Sequence, residues 1–114
     1  MPIPDEGENL AVKMLIKRIL IDRDANLELG LFTNAVIGET TTHAQITEPT
    51  GGGYARKVLT DASWTEAGDT VTYAAQVFTA TGSAMTGDVQ GYFINTLAAG
   101  GTKRLVAYER FMER

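Results

Sequence analysis

The chain has no cysteine, one histidine, one tryptophan and three prolines among its 114 residues. Each scarcity removes a class of chemistry. Without cysteine there is no disulfide, no thiolate metal site and no thiol nucleophile, which fits synthesis in a reducing cytoplasm. With one histidine and no recognisable pair of carboxylates, the usual equipment for acid–base or nucleophilic catalysis is missing, and neither an enzyme nor a cofactor or metal site is expected. One tryptophan and four tyrosines are a thin supply for stacking on sugars. Basic runs are also absent: 14 acidic against 10 basic residues give a net charge of −4. Counterion-release binding has little to work with, so nucleic acid is not an expected partner. No apolar segment approaches the ~20 residues that cross a bilayer, and a membrane is not an expected partner either. The start, MPIPDEGEN, is acidic where a signal peptide is basic, and the mature chain is expected to be the whole chain.

What is present is enough for one domain. A chain of this length buries roughly two-thirds of its unfolded surface, which supports a core without metals or disulfides. Pro2 and Pro4 disfavour helix and predict an extended arm over residues 1–5. Asp5, Glu6 and Glu8 then place negative charge at a helix N-terminus, and a helix is predicted over residues 6–22. Val12, Leu15, Ile16, Ile19 and Leu20 recur at helical spacing and form the stripe expected to face the core. Leu10, Met14 and Ile21 fall on the opposite face, with Lys13, Lys17 and Arg18 between. A helix apolar on two sides needs two neighbours. Either both belong to the same subunit, or the second stripe meets another one.

Beyond the helix, Asp22, Asp24 and Asn26 resemble the start of a calcium loop, but Leu27 stands where its glycine belongs and Thr33 where its bidentate Glu belongs. A polar turn is expected instead. Residues 27–33, LELGLFT, alternate as a first strand with Leu27, Leu29 and Leu31 on one face. The threonine-rich residues 38–48 read as a surface loop or edge strand, with His43 in solvent. Three glycines, Gly51, Gly52 and Gly53, free the backbone for positive φ or close approach ahead of a strand over residues 54–59. No Gly-Lys-Ser/Thr follows them, so they are not a phosphate loop. Residues 61–68 read as a loop whose Trp64 covers the end of the core. The clearest strand pattern is 70–79, TVTYAAQVFT, followed by strands over 89–97 and 104–111 that are expected to form an antiparallel hairpin. The expected fold is therefore mainly β: an antiparallel β-sandwich or jelly-roll-like domain of about six or more strands over residues 27–111, with one N-terminal amphipathic helix, in a single domain 1–114.

The ordered pieces PDEGE, LELGLFTN, ITEPTGGGYAR, a tryptophan some ten residues on, VFTATG, VQGYFINT and LVAYERF resemble a group of small virion proteins of tailed bacteriophages over nearly the whole chain. The resemblance rests on their order and spacing. It implies a structural protein of the phage particle, either a capsid decoration (cement) protein or a small tail component, made in the bacterial host cytoplasm. Implied partners are the major capsid protein or neighbouring tail proteins, and further copies of the chain itself, with a trimer at three-fold positions suiting the symmetry of such shells. A tail, neck or baseplate location, or a tail-associated receptor- or glycan-binding module, is the alternative. On this reading Leu10, Met14 and Ile21 of the second helix stripe are candidate subunit contacts, as are Tyr54 and Arg56 after the glycine turn.

Overall fold

The computed structural model describes residues 2–15, 26–60, 63–68, 70–96 and 103–111. They form a helix α1 (Asp5–Leu15) and strands β1 (Leu27–Phe32), β2 (Lys57–Leu59), β3 (Thr65–Ala67), β4 (Thr70–Thr72), β5 (Gly91–Thr96) and β6 (Leu105–Arg110). Four strands pair antiparallel in the order β2-β1-β5-β6, and β3 and β4 form a separate two-stranded ribbon. The mainly β, antiparallel class with an N-terminal helix is the one that the sequence pattern predicts. Both ribbon strands are exposed along their length, so the described core lies against the four-stranded sheet. The face-to-face packing of two sheets that defines a sandwich is not part of the described architecture.

The register of β1 on β5 sorts the side chains. Glu28, Gly30 and Phe32 share a face with Asn95, Phe93 and Gly91, while Leu27, Leu29 and Leu31 share the other with Thr96, Ile94 and Tyr92. The first face carries the core of Phe32, Phe93, Leu105 and Tyr108, with Ile37 and Ile46 packed against it. The leucine face that looks like the core in the sequence is thus the second, part-buried surface of the sheet. Gly30 explains the choice. A Cβ there would stand 2.5 Å from Cζ of Phe93, so the phenyl ring occupies the space that a larger residue would claim.

The helix departs from expectation in the same way. Leu10 is only 5% exposed, whereas Val12, expected to face the core, is 57% exposed. The docking face is set by a residue with no hydrophobic signal: a Cβ on Gly7 would run into the carbonyl of Val106 in β6, so the helix approaches β6 closely along Gly7 and Leu10. Hydrogen bonds fix the approach. Tyr108 N donates to Pro2 O, and Leu105 N donates to Glu6 Oε2 at 2.6 Å. Residues 16–22 of the predicted helix, with Ile21, lie outside the described residues, as does the side chain of Met14.

Strand positions also differ in places. The segment 70–79, the strongest strand pattern in the sequence, pairs only at Thr70–Thr72. Thr65–Ala67 is a strand where a loop is expected. The closing hairpin forms as predicted, with a shift of register between Ile94 and Asn95. The glycine triplet does what its composition requires: Gly51, Gly52 and Gly53 have φ of 78°, 61° and 75°. Its turn is tied to residues 81–86 by Thr81 N donating to Gly52 O at 2.8 Å and by a bridge between Thr50 and Thr86.

Candidate functional site

The turn 51–53 delivers Tyr54 and Arg56 into a cluster of charged side chains between β1, β2, β5 and the loop 42–48. Arg56 donates to Glu48 through two nitrogens, Nε to Oε1 at 2.8 Å and Nη2 to Oε2 at 3.1 Å. Its Nη1 reaches Glu28 Oε1 at 3.2 Å and His43 Nε2 at 2.8 Å. Because a guanidinium only donates, Nε2 of His43 accepts, and the ring is the neutral tautomer with its proton on Nδ1. Glu28 Oε1 also accepts from Asn95 Nδ2 at 3.0 Å and from Lys103 Nζ at 2.9 Å. Tyr54 donates its hydroxyl proton to Glu48 Oε1 at 2.7 Å and accepts from the backbone N–H of Leu31 at 2.9 Å. This last bond satisfies the edge of β1 beyond the point where β2 ends. The Arg56 guanidinium lies over the Phe93 ring, 5.1 Å from its centroid, which joins the polar cluster to the core.

Titration follows from these contacts. Burial raises the pKa of Glu28, but hydrogen bonds from Asn95, Lys103 and Arg56 outweigh it and hold the carboxyl below its ordinary value. Burial likewise raises Glu48, and the bonds from Arg56 and Tyr54 bring it below its ordinary value. Burial and then the Glu48 hydrogen bond push the Tyr54 phenol up. Burial, then the positive charges of Arg56 and Lys103, lower His43 below 6.5, with Glu6 and Glu48 opposing them. The imidazole is therefore held neutral.

A pH dependence follows. For all three lowered groups the unfolded chain takes up the proton first, so stability is full above each unfolded value and falls as pH drops toward the folded one. A first loss is expected as pH falls below 6.5, from His43, and a second below 4.5, from Glu28 and Glu48. Thermal melts across pH should show both steps, and His43→Gln, whose side-chain oxygen can still accept from Arg56, should remove only the first.

Leu10 lies in the chain's own core. Tyr54 and Arg56 are part-buried and bonded to intrachain partners, with the Arg56 side chain 19% exposed. Met14's side chain and Ile21 lie outside the described residues. His43, expected in solvent, is half-buried in a short 3₁₀ turn, His43–Gln45. Glu28, Glu48 and Asn95 carry no recognisable motif. Glu28 alternates with leucines as a solvent-facing residue would, and only the pairing with Asn95 reveals its inward face.

On the opposite face of the sheet, Leu29, Leu31, Leu59 and Ile94 floor an apolar groove of about 450 Å³. Its wall is the segment 73–78 together with Trp64, whose ring meets Tyr73 edge-on at 4.8 Å. The tryptophan expected over the end of the core stands here. No family model, no curated protein and no solved structure matches this chain.

Proposed function

We propose that the chain is a non-enzymatic structural protein of a tailed-phage particle, most specifically a capsid decoration protein that reinforces the head shell through protein–protein contacts. The observation that carries the reading is the ordered resemblance running from PDEGE to LVAYERF. The geometry supports it from two sides. The charged cluster is closed on itself, because both oxygens of Glu48 are occupied and Glu28 Oε1 receives three donors. Such carboxylates clamp loops together and are poorly set to act as acids, bases or nucleophiles. Meanwhile Val36, Val58, Val71, Val77 and Phe111 stand in solvent, apolar surface that an assembly partner would cover.

Add-back is the direct test. Particles produced without the chain should bind the purified protein over the head surface, visible by electron microscopy of gold-labelled chain, and should then survive heating that opens unlabelled heads. Binding confined to the tail or neck would favour the tail alternative, and absence of binding would contradict both.

A further inference from the structure

We infer that residues 73–79 are a fifth strand of the main sheet, which closes antiparallel onto the open edge of β2 in one definite register. This inference does not depend on the proposed function. The segment has the alternating composition of a strand, TVTYAAQVFT over 70–79, and runs from 73 to 81 with no turn or bend. Among the described residues, the backbone of 73–80 makes no backbone hydrogen bond. The carbonyls of Ala74 and Ala75 accept from the Gln76 side-chain amide, and an extended run whose peptide groups lack strand partners beside an open sheet edge is a strand awaiting its neighbour.

One backbone tie sets the alignment, and a side-chain contact lies near its other end. At one end Thr81 N donates to Gly52 O at 2.8 Å. At the other Thr60 N donates to the Tyr73 hydroxyl at 3.1 Å. Gly52 opposite Thr81 defines an antiparallel register, in which Thr60 falls opposite Tyr73, the residue whose hydroxyl it now reaches. Phe78, which lies under the Lys57 ammonium at 5.2 Å, falls on the Lys57 face of this register as its diagonal neighbour. The register places Val58 opposite Ala75, Lys57 opposite Gln76 and Arg56 opposite Val77.

The polarity of the sheet gives an independent check. Leu31 and Thr33 send their N–H groups to the β2 side of β1, to Tyr54 Oη and Thr47 O. By the two-residue alternation of a strand, Leu27 and Leu29 do the same, and they face Leu59 and Lys57. Val58, Arg56 and Thr60 therefore point their peptide groups outward, toward the segment. The bond between Thr81 and Gly52 makes these same residues the hydrogen-bonded positions of the proposed pairing. The Tyr73 hydroxyl now occupies the Thr60 N–H that the Tyr73 carbonyl would take. Closure also brings Val77 and Val58, 71% and 48% exposed, onto one face as diagonal neighbours. Ala74, Gln76 and Phe78 then stand on the face of Leu59, so the wall of the apolar groove becomes part of its floor.

The absence of native cysteine makes the test clean. Lys57 and Gln76 form a non-hydrogen-bonded pair in this register, where opposing Cα atoms lie about 4.5 Å apart, within disulfide reach. K57C/Q76C should oxidise to an intrachain disulfide about tenfold or more faster than K57C/V77C, in which the two side chains point to opposite faces. Amide exchange of the unmodified chain provides a second readout: Ala75, Val77 and Thr79 should exchange about tenfold or more slowly relative to Ala74, Gln76 and Phe78, whose N–H groups point away from β2. Equal oxidation of the two pairs, a disulfide formed between chains, or uniform exchange along the segment would overturn the inference.

Discussion

Arg56→Ala is expected to destabilise the protein by about 3 kcal/mol, because it removes the cation shared by two part-buried carboxylates, whose side chains are 11% and 26% exposed and recover only part of their hydration. The Glu48 carboxylate loses both of its guanidinium bonds, and Glu28 keeps only Asn95 and Lys103. In a domain of this size such a loss lowers the melting temperature by roughly 12 °C. Arg56→Lys should recover only part of it, since an ammonium cannot make the two-pronged contact with Glu48 or lie flat over Phe93. The pH profile gives a specific signature. The step below 4.5 that belongs to Glu48 should shrink in Arg56→Ala, because the chief force lowering that pKa has gone. Equal steps in the two proteins would mean that Arg56 does not hold the cluster together.

Phe93→Ala is expected to cost about 4 kcal/mol, the size of a fully buried aromatic removed from a packed core. Phe93 has no exposed surface, lies across the backbone of Gly30 and carries the Arg56 guanidinium on its ring. Truncation empties space that neither neighbour can fill, since Gly30 has no side chain and Arg56 is anchored on two carboxylates. Chemical denaturation should show the loss in its midpoint. The double variant Arg56→Ala/Phe93→Ala should be less destabilised than the summed single effects by about 1 kcal/mol, the worth of the cation–ring contact.

The sequence revealed the elements better than their facing. Its period-two runs place β1, β5 and β6 within a residue or two, and the glycine triplet announces its positive φ directly. Which face points inward depends on partners distant in the chain. The three leucines of β1 outnumber the single apolar side chain, Phe32, on its other face, yet the core forms where Gly30 admits Phe93 and where Glu28 meets Asn95 from 67 residues away. On the helix, Gly7 sets the docking side because it lacks a side chain, a feature that hydrophobic periodicity counts as nothing. The charged cluster was hidden for the same reason: Glu28, His43, Glu48 and Arg56 each look solvated in their local context, and only the folded register desolvates them together. The pattern over 70–79 is the reverse case, a strand signal that pairs only at Thr70–Thr72 and whose remaining partner we infer to be the edge of β2.

A closed polar clasp, an apolar groove and exposed valines suit a protein whose work is to be held by others. If the chain decorates a phage head, its abundance must match the shell, because every junction of the lattice repeats. Quantitative mass spectrometry of purified particles, with the major capsid protein as internal reference, tests this most directly. The account predicts hundreds of copies, in simple ratio to the capsid protein. Six or twelve copies would place the chain in the tail or neck, and its absence from the particle would contradict the virion reading altogether.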